Sequence, residues 1–127
     1  MNMNRVIGIT YLPNDLSHAL GVRRLVQLKE SAVKHVQLER NRDLSIIDLF
    51  LVFEKDNILY AGVHPDGSLR IVGKLPNTTL DGRVREHEVA EVVIRDTNIV
   101  TAYYVTMGKV RREYELANLC SVEELIG

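Results

Sequence analysis

Pro65-Asp66-Gly67 is the clearest turn in the sequence, and it limits the fold more than any other feature. Proline presets one backbone angle, and glycine accepts the positive φ that a tight reversal needs. The flanking runs, Ile58 to Val63 and Ser68 to Leu75, read as strands, so the turn makes them antiparallel neighbours. Upstream, Lys55-Asp56-Asn57 is turn chemistry of the same kind. Before it, Ile47, Leu49, Leu51 and Phe53 alternate with Ile46, Phe50 and Val52, interrupted only by Asp48. A run apolar on both faces predicts a central strand over 45–53, and hence a three-stranded meander over 45–75.

The rest of the chain is read in the same way. Arg5 to Leu12 predicts a first strand stopped by Pro13, with Asn14 or Asp15 capping a helix that breaks near Gly21. Val22, Leu25, Val26, Leu28, Ala32, Val33 and Val36 recur at helical spacing and predict a main helix over about 22–40. Residues 76–83 are polar and turn-rich. Residues 84–95 fit helix by propensity and strand by alternation, and both stay open. Asp96-Thr97-Asn98 turns the chain into a strand over 99–106, and Met107-Gly108 turns it into another over 109–116 with one wet face. Ser121-Val122-Glu123-Glu124 has the spacing of a capping box. Together these elements predict an α+β fold: a twisted, mostly antiparallel sheet of six or seven strands with one main helix packed on it. At 127 residues the chain suits a single domain, 1–127.

Several function classes are disfavoured on composition. The one cysteine, Cys120, supports neither a disulfide framework nor a thiolate metal site, and reads as structural. No leader and no membrane-length apolar stretch is visible, so a cytoplasmic protein without membrane contact is expected. A net charge of −1 argues against extended DNA binding. The type of positive charge says more, because arginine outnumbers lysine eleven to five. Arginine's planar fork grips phosphates and carboxylates in pairs.

Glu86-His87-Glu88-Val89-Ala90-Glu91 approaches the zinc-protease pattern but has glutamate where the second histidine ligand belongs. No metal is expected. The absence of phosphate-cradling and dinucleotide glycine motifs likewise predicts no cofactor. Metal-independent RNA cleavage remains as an alternative, with His64, His87, Glu88, Arg95, Thr101, Tyr103 and Arg111 as candidate acid, base and cations. A helix followed by sheet, with Ile99-Val100-Thr101-Ala102-Tyr103 late in the chain, loosely resembles the small barnase-like and EndoU-like ribonuclease toxins. The likeness covers that pentapeptide and the architecture, and no catalytic motif aligns.

The leading constellation is Tyr103-Tyr104 beside Arg111-Arg112, on strands expected to form a hairpin. Arg112 would interrupt the apolar row of Val110, Tyr114 and Leu116 there, so it is the arginine least comfortable without a ligand. Arg23, Arg24 and Arg85 could contribute. The expected function is a non-catalytic binding module, of the inhibitor, immunity or phage-accessory type. It would recognise an anionic ligand such as a nucleotide, or an acidic protein surface, through arginine and tyrosine. A homo-oligomer is also expected, from sheet edges among the late strands, and a purely structural subunit is a third reading.

Overall fold

Pro13 and Gly21 set the layout of the amino-terminal third. In the computed structural model, which describes residues 5–33, 45–78, 82–85, 89–116 and 119–127, strand β1 (Val6–Tyr11) ends just before Pro13. Helix α1 (Asn14–Leu20) comes next and stops at Gly21, whose φ of 67° only glycine adopts without strain. The expected break at Gly21 is therefore the end of a helix. The main helix expected over about 22–40 is corrected: Leu25–Lys29 is strand β2, paired antiparallel to β1. Val26 and Leu28 are buried while Leu25, Gln27 and Lys29 are half-buried, so burial there has period two. Val26 and Leu28 fit period two, and together with Leu25 they also fit helical spacing, which is why helical counting accepted them. A short 3-10 turn, Glu30–Ala32, leads on from β2. The remainder of the expected helix, from 34 onward, lies outside the described residues.

The central strand expected over 45–53 is also corrected: Ile46–Leu51 is helix α2. Ser45 caps it, its hydroxyl accepting the Asp48 amide at 3.1 Å, and this local bond outweighs the strand-like alternation. Two of the three strands expected for the meander remain. Strands β3 (Ile58–Val63) and β4 (Leu69–Lys74) pair antiparallel around the Pro65-Asp66-Gly67 turn. Of the ambiguous segment 84–95, residues 86–88 lie outside the described residues and Val89–Arg95 is strand β5, paired with β4 and with β6 (Asn98–Tyr104). The last correction falls on 109–116. Met107–Leu116 is helix α3, the longest described, opened by Thr106, whose hydroxyl accepts the Lys109 amide at 3.2 Å. Strand β7 (Cys120–Ser121) and helix α4 (Val122–Ile126) close the chain, with Ser121 accepting the Glu124 amide as the capping box predicts.

The fold is α+β, with a seven-stranded, mostly antiparallel sheet in the order β1-β2-β6-β5-β4-β3-β7. Its single parallel junction joins β2 to β6 through one pairing, Gln27 with Asn98. One sheet face is covered by α1, α2 and α4 over a core that includes Leu16, Leu49, Ile71, Val92 and Ile99. On the other, Val110 of α3 packs with Val72, Val105 and Leu119. A register shift in β6 has a consequence for the site. Val93 pairs with Thr101 but Ile94 with Ile99, leaving Val100 as a bulge. The extra residue resets the alternation, so Tyr103 packs on the α3 side and Tyr104 on the opposite one. No described helix is long and apolar enough to cross a membrane.

Candidate functional site

Tyr103 and Tyr104 lead to two polar clusters, one on each face of the sheet. Each joins an arginine, a carboxylate and one tyrosine. On the α2 face, Arg85 Nη2 donates to Asp48 Oδ2 at 2.7 Å and Nη1 donates to the Tyr104 hydroxyl at 2.6 Å. Arg85 Nε donates to the Pro76 carbonyl at 2.9 Å, and the Arg85 amide to that of Asn77 at 2.7 Å. Both charged side chains are enclosed, at 0% exposure for Arg85 and 2% for Asp48. Burial works against the guanidinium charge, but the carboxylate and tyrosine outweigh it and hold Arg85 above the ordinary arginine value.

The second cluster runs across the α3 face. Tyr103 donates to Glu91 Oε2 at 2.5 Å, and Arg70 Nη1 reaches the same oxygen at 3.0 Å. Glu91 is 1% exposed, and its Oε1 has no hydrogen-bond partner among the described residues. The Lys109 ammonium lies 4.9 Å from the centre of the Tyr103 ring. Arg70 continues to Asp66 at 3.2 Å, and Arg95 meets the same Asp66 oxygen at 3.1 Å. Asp66 also accepts the Ser68 hydroxyl at 2.6 Å and amide at 2.8 Å. Here too burial opposes the charge, and Glu91, Tyr103 and Asp66 together raise the Arg70 value.

The hydroxyl and amide of Ser68, with His64 and Arg95 adding charge, hold the Asp66 carboxyl well below the usual carboxylate range. Its folded value is depressed, so its stabilisation is complete above the unfolded carboxylate value near 3.8. It is lost as pH falls below that and through the folded value. Asp66→Asn is therefore expected to melt below wild type at neutral pH, with the gap closing in strong acid. Thermal melts of both proteins from pH 7 to pH 2 check this, and a gap independent of pH would sink it.

The predicted site residues thus separate. Arg85 and Tyr104 come together, but inside the protein. Tyr103 pairs with Glu91 and Arg70, two residues that sequence reasoning missed. Each missed residue had a signal, being a lone charge inside an apolar strand: Arg70 between Leu69 and Ile71, Glu91 between Ala90 and Val92. Asp48 had the same signal. Arg112 is exposed on helix α3, so the expected hairpin with Tyr104 does not exist. Arg24 is exposed, donates from Nε to the Leu12 carbonyl at 3.0 Å, and lies 5.8 Å from the Tyr11 ring centre. Of the groups in the ribonuclease reading, His64, Arg95 and Tyr103 border the Asp66–Arg70–Glu91 run, while His87 and Glu88 lie outside the described residues. Among the described residues, no group of His, Cys, Asp and Glu could hold a metal ion.

Arg23 is exposed. It lines a cleft of about 490 Å³ with Val22, Leu25, Leu69, Asp96 and Thr97, at the end of the sheet where β2 runs past the start of β6. Arg23 forms no ion pair and no side-chain hydrogen bond with any described residue. One wall is the β5–β6 turn, where Asp96 (φ 49°) and Thr97 (φ 69°) both take the left-handed conformation. That is costly for a β-branched threonine. Gln27 holds it there, its amide donating to the Thr97 carbonyl at 2.7 Å and its side chain to the Thr97 hydroxyl at 3.1 Å. A second cleft, of about 520 Å³, lies beside Phe50 and Phe53, but its Lys55 is already paired with Asp15 at 2.7 Å.

No protein-family model matches the chain, and neither a curated protein nor a solved structure matches it.

Proposed function

We propose that this chain is a non-catalytic binding module that takes a small anionic ligand of nucleotide size in the Arg23 cleft. One observation carries the reading: Arg70 and Arg85 are already neutralised by carboxylates, whereas Arg23 stands unpaired among the described residues, beside an apolar floor. A volume of about 490 Å³ falls in the range of small-molecule sites. The cleft offers a guanidinium for a phosphate or carboxylate, Val22, Leu25 and Leu69 for a flat apolar body, and Asp96 as acceptor for a donor on that body. A nucleotide combines all three. An inhibitor or accessory role would follow from what ligand binding changes in a partner.

The test is calorimetric titration of wild type, Arg23→Ala and Arg112→Ala with nucleoside mono-, di- and triphosphates. Loss of a charge-assisted hydrogen bond is worth about 1.5–3 kcal/mol, or about ten- to 150-fold in affinity. Arg23→Ala is expected to weaken binding by that factor, and Arg112→Ala to leave it unchanged. The reading fails if no nucleotide binds at millimolar concentration, or if the two variants behave alike. Binding of an acidic protein in place of nucleotides would also count against it.

A further inference from the structure

Strand β1 is an outer edge of the sheet, and its residues Val6, Ile7, Ile9 and Tyr11 are exposed, Ile9 and Tyr11 at 54% and 57%. Edge strands that stay solitary carry lysine, proline or inward charges. Val6–Tyr11 carries none of these; a bulge, which can also blunt an edge, lies between Val6 and Gly8 and leaves Gly8–Tyr11 regular. The Leu12 amide donates to the Arg24 carbonyl on the β2 side. By strand alternation, the amide and carbonyl groups of Ile9 and Tyr11 therefore point away from β2, toward the open edge. The opposite edge of the sheet is different. Strand β7 has two residues and runs directly into α4, so it offers no six-residue strand a partner.

We propose that β1 pairs antiparallel with β1 of a second copy of this chain, about a twofold axis through Ile9, to make one continuous sheet. The strand is self-complementary in that register. Ile9 faces Ile9 of the second copy, and Gly8 faces Thr10. The Tyr11 end, where Arg24 has no carboxylate of its own among the described residues, meets the end where Glu30 lies 3.5 Å from Arg5. One usable edge among the described residues closes the assembly at two subunits, whereas two would let it grow into a fibre. The late strands, where sequence reasoning placed the association edge, are interior: β5 and β6 each have neighbours on both sides.

The experiment combines sedimentation equilibrium with cysteine cross-linking on the full chain. Wild type is expected to sediment as a dimer at tens of micromolar. Ile9→Lys places two like charges opposite each other and is expected to raise the dimer dissociation constant at least about tenfold. A hydrogen-bonded antiparallel pair sets Cα atoms about 5.5 Å apart, within disulfide range. In a Cys120→Ser background, Ile9→Cys should then cross-link to itself under mild oxidation, while Val100→Cys, exposed on the β6 bulge, should not. Circular dichroism melts confirm that each variant is folded, and cross-linking tests the register even if Ile9→Lys does not fold. A monomer at every concentration overturns the proposal, including the case in which a different protein supplies the added strand. A dimer untouched by Ile9→Lys, or equal cross-linking at positions 9 and 100, overturns it as well.

Discussion

Replacing Arg85 with alanine is expected to cost about 3–5 kcal/mol of folding stability, the largest loss anticipated from a single change in this protein. The residue is fully enclosed, and its guanidinium serves Asp48, Tyr104 and the Pro76 carbonyl at once. Truncation leaves the buried Asp48 carboxylate without its donor, where solvent does not compensate, and removes one donor from the half-buried Tyr104 hydroxyl and from the Pro76 carbonyl. Asp48→Asn should cost less, because the amide oxygen still accepts from Arg85 although the charge is gone. Replacing the whole unit separates pairing from desolvation. Arg85→Met with Asp48→Leu and Tyr104→Phe removes every side-chain group that needs the others, and it should recover most of the single-variant loss. Urea denaturation of the four proteins measures this. A loss below about 1 kcal/mol for Arg85→Ala would show that water or another group replaces the guanidinium. Arg85 would then return to the set of cations available to a ligand.

The internal role of Arg85 marks how far the sequence could be read. The hairpin around Pro65-Asp66-Gly67 was legible, because the turn residues state their geometry locally. The Ser121 cap and the break at Gly21 were legible for the same reason. Ile46–Leu51 was misread because a short buried helix and a two-faced strand show the same apolar run. Only Ser45 and Asp48, spaced as a cap, distinguished them, and Asp48 entered the reading as an interruption. At 109–116, Val110 and Tyr114 fit strand alternation and also the four-residue spacing of a helix, while Lys, Arg, Glu and Leu favour the helix. The Val100 bulge leaves no mark in the residue pattern. Without it, neither the face that each tyrosine takes nor the pairing of Glu91 with Tyr103 follows from counting. Arg70 and Glu91 stand 21 residues apart, so only the β4–β5 register shows that two lone charges are one ion pair. The Arg23 cleft was illegible as a shape, although Arg23 itself was among the residues selected.

Gly73→Ala is expected to destabilise the fold by about 1–3 kcal/mol, toward the upper end of that range. A Cβ at this position in β4 would sit 2.8 Å from Val52 Cγ1, 3.0 Å from the Val52 carbonyl oxygen and 3.1 Å from that of Asn57. Two of the three obstacles are backbone atoms, which cannot swing aside as a side chain does. Gly8→Ala is the control. Its Cβ would meet the Phe50 ring at 2.5 Å, but that ring is half-buried beside the second cleft and has room to turn. The smaller loss is therefore expected there. The two large effects are also coupled. Val52 directly follows α2, and α2 carries Asp48, so a methyl group at position 73 pushes the helix outward and strains the Asp48–Arg85 bond. Gly73→Ala and Arg85→Ala should then cost less together than the sum of their separate losses, by at least about 0.5 kcal/mol. A double-mutant cycle in urea measures the difference. Strict additivity would mean that the carboxyl end of α2 yields by itself, leaving Asp48 in place.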